Sequence, residues 1–308
     1  MGISREQALD CFQSDDLVGI GMEADAVRRR LHPEGVVGYA MQAQVDCVAL
    51  TDGNPSAGLD RLYAAIDQAE ERGVEGLRLL GCGDAGRAEG LLQGIRQRFP
   101  SMWLEAFSVV EVHSIAETLG VNIREMLTRM IDAGLNSLAD DGVLLADMPA
   151  HSASHALAQW LVVHRAAQGL GMRTVAGMVF GGAETLSQRV DFMLSVRQLQ
   201  EETGGFAAFA PRAAEAPGGR ELDGVTAVEQ LKMLAISRML LDNIATVQVD
   251  VTRGGLKVLQ TCLRFGANDL GLIALDDGGR EEDINRIIRD AGFQPARREM
   301  GYRAMLLA

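Results

Sequence analysis

The feature that most constrains the fold of this chain is an alternation of short apolar runs and longer amphipathic helical patterns, which begins at Val45–Leu50. This first run lies in VDCVALTDGNP and is followed by Thr51 to Pro55, residue types that turn a chain. Seven further predicted strands follow, each reached through a helical pattern. They lie at residues 77–80, 103–107, 135–138, 173–180, 206–210, 246–251 and 269–273. Near-continuous apolar strands are typical of parallel sheets that helices cover on both sides.

Eight such units predict an α/β fold, a (β/α)8 TIM-type barrel, formed by a single domain over residues 1–308. Helical patterns at residues 4–12 and 16–31 precede the strands, and we interpret residues 1–34 as an N-terminal helical extension. The alternative is a Rossmann-like open sheet. It is weakened because no G-x-G-x-x-G motif follows the first strand.

Charge and hydropathy narrow the classes of partner. The chain carries 29 Lys and Arg against 42 Asp and Glu, a net charge of −13, which would repel nucleic acid and acidic membrane surfaces. No stretch approaches about 18 uninterrupted apolar residues, and the first residues lack the pattern of a secretory signal. We therefore expect a cytoplasmic protein with no nucleic-acid or membrane partner; a small-molecule ligand and a homo-oligomer are both compatible with the sequence.

The four cysteines are far apart in the sequence and form neither a disulfide framework nor a C-x-x-C motif. Cys11, Cys47 and Cys262 lie in apolar periodic runs and are interpreted as core residues. Cys82, in LLGCGDAG just past a predicted strand, is the better candidate to face a cavity.

Functional residues of a barrel lie at the carboxyl ends of its strands, which allows candidates to be chosen. The ligand-binding candidates are Cys82, Asp84, Glu105, Ser108, Asn136, Glu184, Gln248, Asp250, Asn268 and Asp269. Carboxylates dominate the strand ends, which suits acid–base chemistry or a hydroxyl-rich ligand. Residues such as Asp84 are equally explained as turn or helix-cap residues. Glu105 differs, because it lies inside the apolar strand WLEAF and must face the barrel mouth or pair with a cation.

A metal site is not predicted. His151 and His155 have the i, i+4 spacing of helical metal ligands, but a third ligand at a compatible spacing is missing from the sequence.

Several segments together resemble a known family. They are residues 14–39 with LEAFSVVEV, AGLNSL, GMRTVAGMVFGGAET, RQLQEETGGFAAF, AISRMLLDNI and LRFGANDLG. In this order they resemble the radical S-adenosylmethionine enzymes of the futalosine route to menaquinone, the cyclic dehypoxanthine futalosine synthase and aminofutalosine synthase group. The resemblance implies the same barrel.

The resemblance also implies features that this sequence lacks. In that family the first strand leads into C-x-x-x-C-x-x-C, whose thiolates hold an iron–sulfur cluster. Here Thr51 takes the position of the first ligand, and Cys47 lies four residues too early. Leu144 replaces an acidic residue expected to contact the methionine moiety, and Gly182 replaces a histidine. We predict that the iron–sulfur cluster is absent, and S-adenosylmethionine binding is in question.

Two functional hypotheses follow. In the first, the chain is a cluster-free paralogue without radical chemistry, a pseudoenzyme that binds a small molecule or acts as an accessory in menaquinone biosynthesis. In the second, it is an enzyme of another class that uses Glu105, Asp84, Asp250 or Asp269 for acid–base chemistry on a futalosine-like or other polar substrate. The sequence does not decide between these hypotheses and does not identify the catalytic residues.

Overall fold

The computed structural model of this chain describes most of its residues. The described residues are 2–47, 55–82, 84, 86–139, 142–144, 150–214, 225–249, 255–274, 280–302 and 305–307.

Helices account for much of the described chain, and the first two lie at the helical patterns predicted for residues 4–12 and 16–31. They are α1 Arg5–Gln13, α2 Leu17–Leu31, α3 Pro55–Glu71, α4 Ala88–Arg98, α5 Val109–Leu119, α6 Ile123–Asp132, α7 Ala150–Gly169, α8 Leu186–Thr203, α9 Ala227–Leu240, α10 Gly255–Arg264 and α11 Arg280–Asp290. No helix within the described ranges is long and apolar enough to cross a membrane.

Strands alternate with these helices. They are β1 Val36–Asp46, β2 Gly76–Leu80, β3 Trp103–Ala106, β4 Ser137–Leu138, β5 Val143–Leu144, β6 Thr174–Phe180, β7 Phe206–Ala213, β8 Thr246–Val247, β9 Asp269–Ala274, β10 Gln294–Arg298 and β11 Met305–Leu307.

The strands form two sheets. One contains β11, β10, β1, β2, β3 and β4 in that order, with β9 also paired to β1, and the other contains β5, β6, β7 and β8. All pairs are parallel except β10 with β11, and an isolated parallel bridge joins Gln248 to Asp269. The predicted α/β fold of parallel strands is confirmed. A closed eight-stranded ring is not established by these hydrogen bonds, and the full (β/α)8 barrel stays a prediction.

The first strand is longer than predicted and begins earlier. The sequence placed it at Val45–Leu50, whereas β1 runs over Val36–Asp46. Its first half pairs with β10 (Val36 with Gln294), and its second half pairs with β2 (Gln42 with Gly76) along the same edge. The β10–β11 hairpin therefore lies at the amino-terminal end of β2 and β3, where Met300 packs at Gly76.

The two helices that precede β1 pack against the later half of the chain. Helix α1 contacts α8 and α9, and α2 contacts α9 and α10. Lys232 of α9 donates to the carbonyls of Phe12 and Ser14 at 2.9 and 2.6 Å, which holds the turn between α1 and α2. The predicted N-terminal helices are thus present and are fixed to the outer helical layer.

Candidate functional site

Polar side chains of β1 line the inner side of the curved sheets, which we call the lumen. Successive side chains of a strand face opposite sides of a sheet. Val45 and Cys47 belong to the apolar core under the helices, so Gln42, Gln44 and Asp46 face the lumen. Gln42 is buried whereas Gln44 and Asp46 are exposed, so the lumen opens to water toward the carboxyl end of β1.

Glu105 and its neighbours form the first polar group of the lumen. Glu105 of β3 lies beside Arg78 of β2 in the strand register, and Arg78 Nε is 3.5 Å from Glu105 Oε1. Gln42 Nε2 donates to Glu105 Oε2 at 3.3 Å. Arg78 is therefore a cation of the kind that the sequence predicted beside Glu105. We call Gln42, Arg78 and Glu105 the Glu105 cluster.

A second polar group surrounds Asp269 at the start of β9. Arg298 of β10 donates to both carboxylate oxygens of Asp269, at 2.7 and 3.1 Å, and the ion pair is fully buried. The backbone N–H of Gly271 donates to Asp269 Oδ1 at 2.7 Å, and Gln248 Nε2 donates to the same oxygen at 3.1 Å. Gln248 also donates to the Tyr302 hydroxyl. We call Gln248, Asp269, Arg298 and Tyr302 the Asp269 cluster.

The two clusters influence each other electrostatically. Burial lowers the pKa of Arg298, but the charge and hydrogen bonds of Asp269 together with the electrostatic contributions of Tyr302 and Glu105 outweigh burial, and the pKa is raised. Burial also raises the pKa of the Tyr302 hydroxyl, again with a contribution from Glu105. Both groups therefore keep their protons at neutral pH, and the lumen presents a fixed cation and a neutral phenol.

Two aromatic residues at the ends of the lumen adopt a backbone conformation that is unfavourable for side chains other than glycine. Tyr302 has φ 59° and Phe107, just after β3, has φ 63°. Such strain persists only where the surroundings over-determine it. For Tyr302 those surroundings include the Arg298 guanidinium, which stacks on its ring at 3.8 Å from the centroid.

Several predicted candidates serve local structure instead. Asp84 is exposed, accepts a hydrogen bond from the Gly86 N–H at 2.9 Å and lies 3.5 Å from Arg87, as expected of a turn residue. Ser108 is the N-cap of α5 and forms a capping box with Glu111.

Three further candidates are held by buried or half-buried arginines outside the two clusters. Asn136 accepts from Arg96 at 2.6 Å, and Asn268 accepts from Arg238 at 2.6 Å. Glu184 accepts from the Gly181 and Gly182 N–H groups and from Arg189, each within 2.9 Å. Asp250 lies outside the described residues, as do Thr51 to Asn54.

The structure therefore brings Glu105, Gln248 and Asp269 together and leaves the other described candidates apart. Sequence reasoning missed four members of the clusters, Gln42, Arg78, Arg298 and Tyr302. A usable signal existed for Arg78, which is a single charge in the apolar strand GLRLL, as Glu105 is in WLEA. Gln42 and Gln44 alternate with apolar residues in β1, which is the pattern of a strand with one polar face.

The cysteines test whether the cluster implied by the resemblance fits this chain. Cys82 Sγ donates to Cys47 Sγ at 2.7 Å, while Cys11 and Cys262 lie on α1 and α10. A [4Fe–4S] cluster requires convergent thiolates, each bound to its own iron. Two thiols in mutual contact with no third cysteine nearby do not fit that requirement. Among the described residues, no group of three His, Cys, Asp or Glu could hold a metal ion.

Comparison with known proteins places these features in context. The profile of a family described as CofH/MqnC C-terminal region matches residues 205–307. The chain is similar to cyclic dehypoxanthine futalosine synthase of Streptomyces coelicolor, with 30% identity over 99% of this chain and 86% of the relative. It is also similar to aminodeoxyfutalosine synthase of the same organism, with 29% identity over 97% of this chain and 90% of the relative. The resemblance to enzymes of the futalosine route is confirmed.

A solved structure supports the fold. Methylornithine synthase aligns with a TM-score of 0.62 at 11% identity, over 96% of this chain and 95% of that chain. The prediction that this chain is a pseudoenzyme, not a functional enzyme of the radical S-adenosylmethionine group, is wrong. Its relatives over nearly the whole chain are named as synthases. That prediction failed because it inferred loss of catalysis from missing family residues alone.

Proposed function

This chain belongs to the family of the cyclic dehypoxanthine futalosine and aminodeoxyfutalosine synthases, and from that premise we propose that it is an enzyme acting on a futalosine-like polar ligand in the lumen. We propose that Glu105 transfers a proton to or from this ligand. The observation that carries the proposal is the position of Glu105, a buried carboxylate on the lumen side of β3 beside Gln42 and Arg78 and close to the exposed side chains of β1.

The contrast with Asp269 supports Glu105 as the acid–base group. A general base must give up its present partners to accept a proton from the ligand. Asp269 is fully buried under short hydrogen bonds from Arg298 and Gly271. Glu105 is 8% exposed, and its contacts with Gln42 and Arg78 are 3.3 and 3.5 Å long. Asp269 is therefore the less suitable of the two carboxylates for proton transfer to or from a ligand.

The polarity of the lumen supports a ligand rich in hydroxyl or amide groups. Gln44 lies in register with Arg78, and Asp46 lies two residues further along β1. Both are exposed, and each can bind such groups. A polar ligand of this kind is in keeping with the names of the relatives, which are futalosine synthases.

We also propose that the reaction uses no iron–sulfur cluster held by cysteine. The chain has four cysteines, and the contact between Cys47 and Cys82 is the wrong geometry for two cluster ligands. Anaerobic reconstitution with iron and sulfide, followed by iron analysis and absorption spectroscopy, tests this. Stoichiometric iron with a charge-transfer band would overturn it.

The catalytic proposal is tested with cyclic dehypoxanthine futalosine and aminodeoxyfutalosine as probes. Binding is measured by calorimetry, and proton transfer is measured as deuterium uptake into the bound probe from D₂O by mass spectrometry. We expect Glu105→Gln to keep binding within a few-fold and to slow deuterium uptake by about 10²–10⁴-fold, the usual contribution of a positioned acid–base group.

Asp84→Asn is the matched control, because it neutralises an exposed carboxylate that also follows a strand in the sequence but serves a local turn with Gly86 and Arg87. It should leave both binding and uptake unchanged. Equal uptake by wild type and Glu105→Gln would remove Glu105 from the chemistry, and the lack of binding of either probe at millimolar concentration would overturn the ligand class.

A further inference from the structure

Cys47 and Cys82 form a buried pair at the carboxyl ends of two adjacent strands. Their sulfurs are 2.7 Å apart, and each side chain is 6% exposed. All four cysteines are thiols in this structure. A disulfide bond is about 2.05 Å long, so the sulfurs need only a sub-ångström approach to be linked.

The chain brings these thiols together by a defined turn. β1 and β2 pair in parallel up to Asp46 and Leu80, so Cys47 and Cys82 follow the last paired residues. In a continued strand, Cys82 would face the same side as Leu80, away from the core. Gly81 has φ 66°, a left-handed conformation that glycine adopts without strain, and it turns Cys82 toward the core that contains Cys47.

Cys82 is held as a thiol at neutral pH. Donation to Cys47, together with burial, raises the pKa of the Cys82 thiol. Because the thiolate is the reactive form, Cys82 reacts slowly at neutral pH and faster as the pH rises.

We propose that Cys47 and Cys82 are a reversible dithiol–disulfide pair that a hydroperoxide oxidises. One of the two sulfurs attacks the peroxide, the O–O bond breaks, and a sulfenic acid and one water (or alcohol) form. The other sulfur then attacks the sulfenic acid sulfur, the S–O bond breaks, and the disulfide and a water form. Two thiols thus lose two electrons and two protons to one peroxide, and a small thiol reverses the reaction by exchange.

A Cys47–Cys82 disulfide would link the carboxyl ends of β1 and β2, which lie at the open end of the lumen. β1 supplies Gln42 and Asp46, and β2 supplies Arg78. Oxidation would therefore fix the spacing of the two strands next to the Glu105 cluster. The pair stands independently of the proposed catalytic chemistry, because its oxidation can be measured without any substrate.

The test exposes the folded, chelator-treated protein to hydrogen peroxide, quenches it with acid, and alkylates it with iodoacetamide after denaturation. We expect oxidised protein to lose two of its four alkylation sites and two hydrogen atoms of mass, with peptide mapping linking Cys47 to Cys82. Dithiothreitol should restore four alkylation sites, and the oxidation rate should rise with pH.

Cys262→Ser is the matched control, since Cys262 is equally buried but distant, and burial raises its pKa to about 12. This variant should still form the link, whereas Cys47→Ser and Cys82→Ala should not. Retention of four alkylation sites by the wild type, or oxygen addition at one cysteine without a link, would overturn the proposal. Loss of two alkylation sites in protein that has not been treated with a chelator, but not in the chelator-treated protein, would identify a metal bound by the two thiolates and would also overturn it.

Discussion

The two polar clusters of the lumen contain the same chemistry, a carboxylate beside an arginine and an amide, but they differ in how tightly it is held. Asp269 receives short hydrogen bonds from Arg298, Gly271 and Gln248 and is fully buried. The contacts of Glu105 with Gln42 and Arg78 are 3.3 and 3.5 Å long, and Glu105 lies next to exposed side chains. A fully buried carboxylate with all its acceptor sites satisfied contributes to structure, whereas a carboxylate beside water-accessible side chains is the one that a ligand can approach.

The largest expected effect comes from breaking the Asp269 cluster. Arg298→Met leaves the Asp269 charge buried without its cation, which should lower the free energy of unfolding by about 3–5 kcal/mol. Urea denaturation followed by circular dichroism measures this. The double variant Arg298→Met/Asp269→Asn should recover part of the loss, because no buried charge remains. A loss below about 1 kcal/mol in Arg298→Met would show that the ion pair does not hold this end of the lumen.

A smaller effect is expected from the same substitution in the Glu105 cluster. Arg78→Met should lower the free energy of unfolding by only about 1–2 kcal/mol, because Gln42 stays in contact and water reaches the adjacent lumen. The measurement is the same urea titration, run in parallel with Arg298→Met. If both variants lost the same stability, the distinction between a structural and an exchangeable carboxylate would fail.

The smallest expected effect on the free energy of unfolding concerns Asp242, a carboxylate of the outer helical layer. Asp242 pairs with Arg197 at 2.7 Å and with Arg30 at 3.3 Å. Burial opposes its ionisation, but the hydrogen bond and charge of Arg197 outweigh burial and lower the pKa.

A carboxylate whose folded pKa is lowered stabilises the fold above its ordinary pKa of about 4 and loses that contribution as the pH falls through the lowered value. Asp242→Asn should therefore be less stable than wild type near neutral pH, by up to about 1 kcal/mol. The two proteins should converge in strong acid. Denaturant titrations across this pH range check the sign, and a difference that grew on acidification would contradict it.

Much of the fold could be predicted because helix and strand patterns are local. The capping box at Ser4 begins a helix where the sequence predicts one, at residues 4–12. The first strand begins earlier than predicted because its lumen side is polar. Gln42, Gln44 and Asp46 interrupt the apolar run that marks a strand covered on both sides, so the pattern favours Val45–Leu50, of which residues 48–50 lie outside the described residues.

The site was harder to predict because its members come from distant parts of the chain. Glu105 was recognised since a single charge inside an apolar strand needs a partner. Arg298 and Tyr302 follow β9 by a helix and a strand, and only the pairing of β10 with β1 brings them beside Asp269. Local pattern contains no information about such a pairing.

The shared edge of β1 has a consequence for how the molecule folds. Contacts between Val36–Tyr39 and Gln294–Arg297 join residues separated by most of the chain, and contacts of such long sequence separation form slowly. During synthesis, the amino-terminal half of β1 cannot form its hydrogen bonds with β10 until the ribosome has made β10. We expect the earlier βα units to collapse first and the Asp269 cluster to assemble as one of the last events of folding.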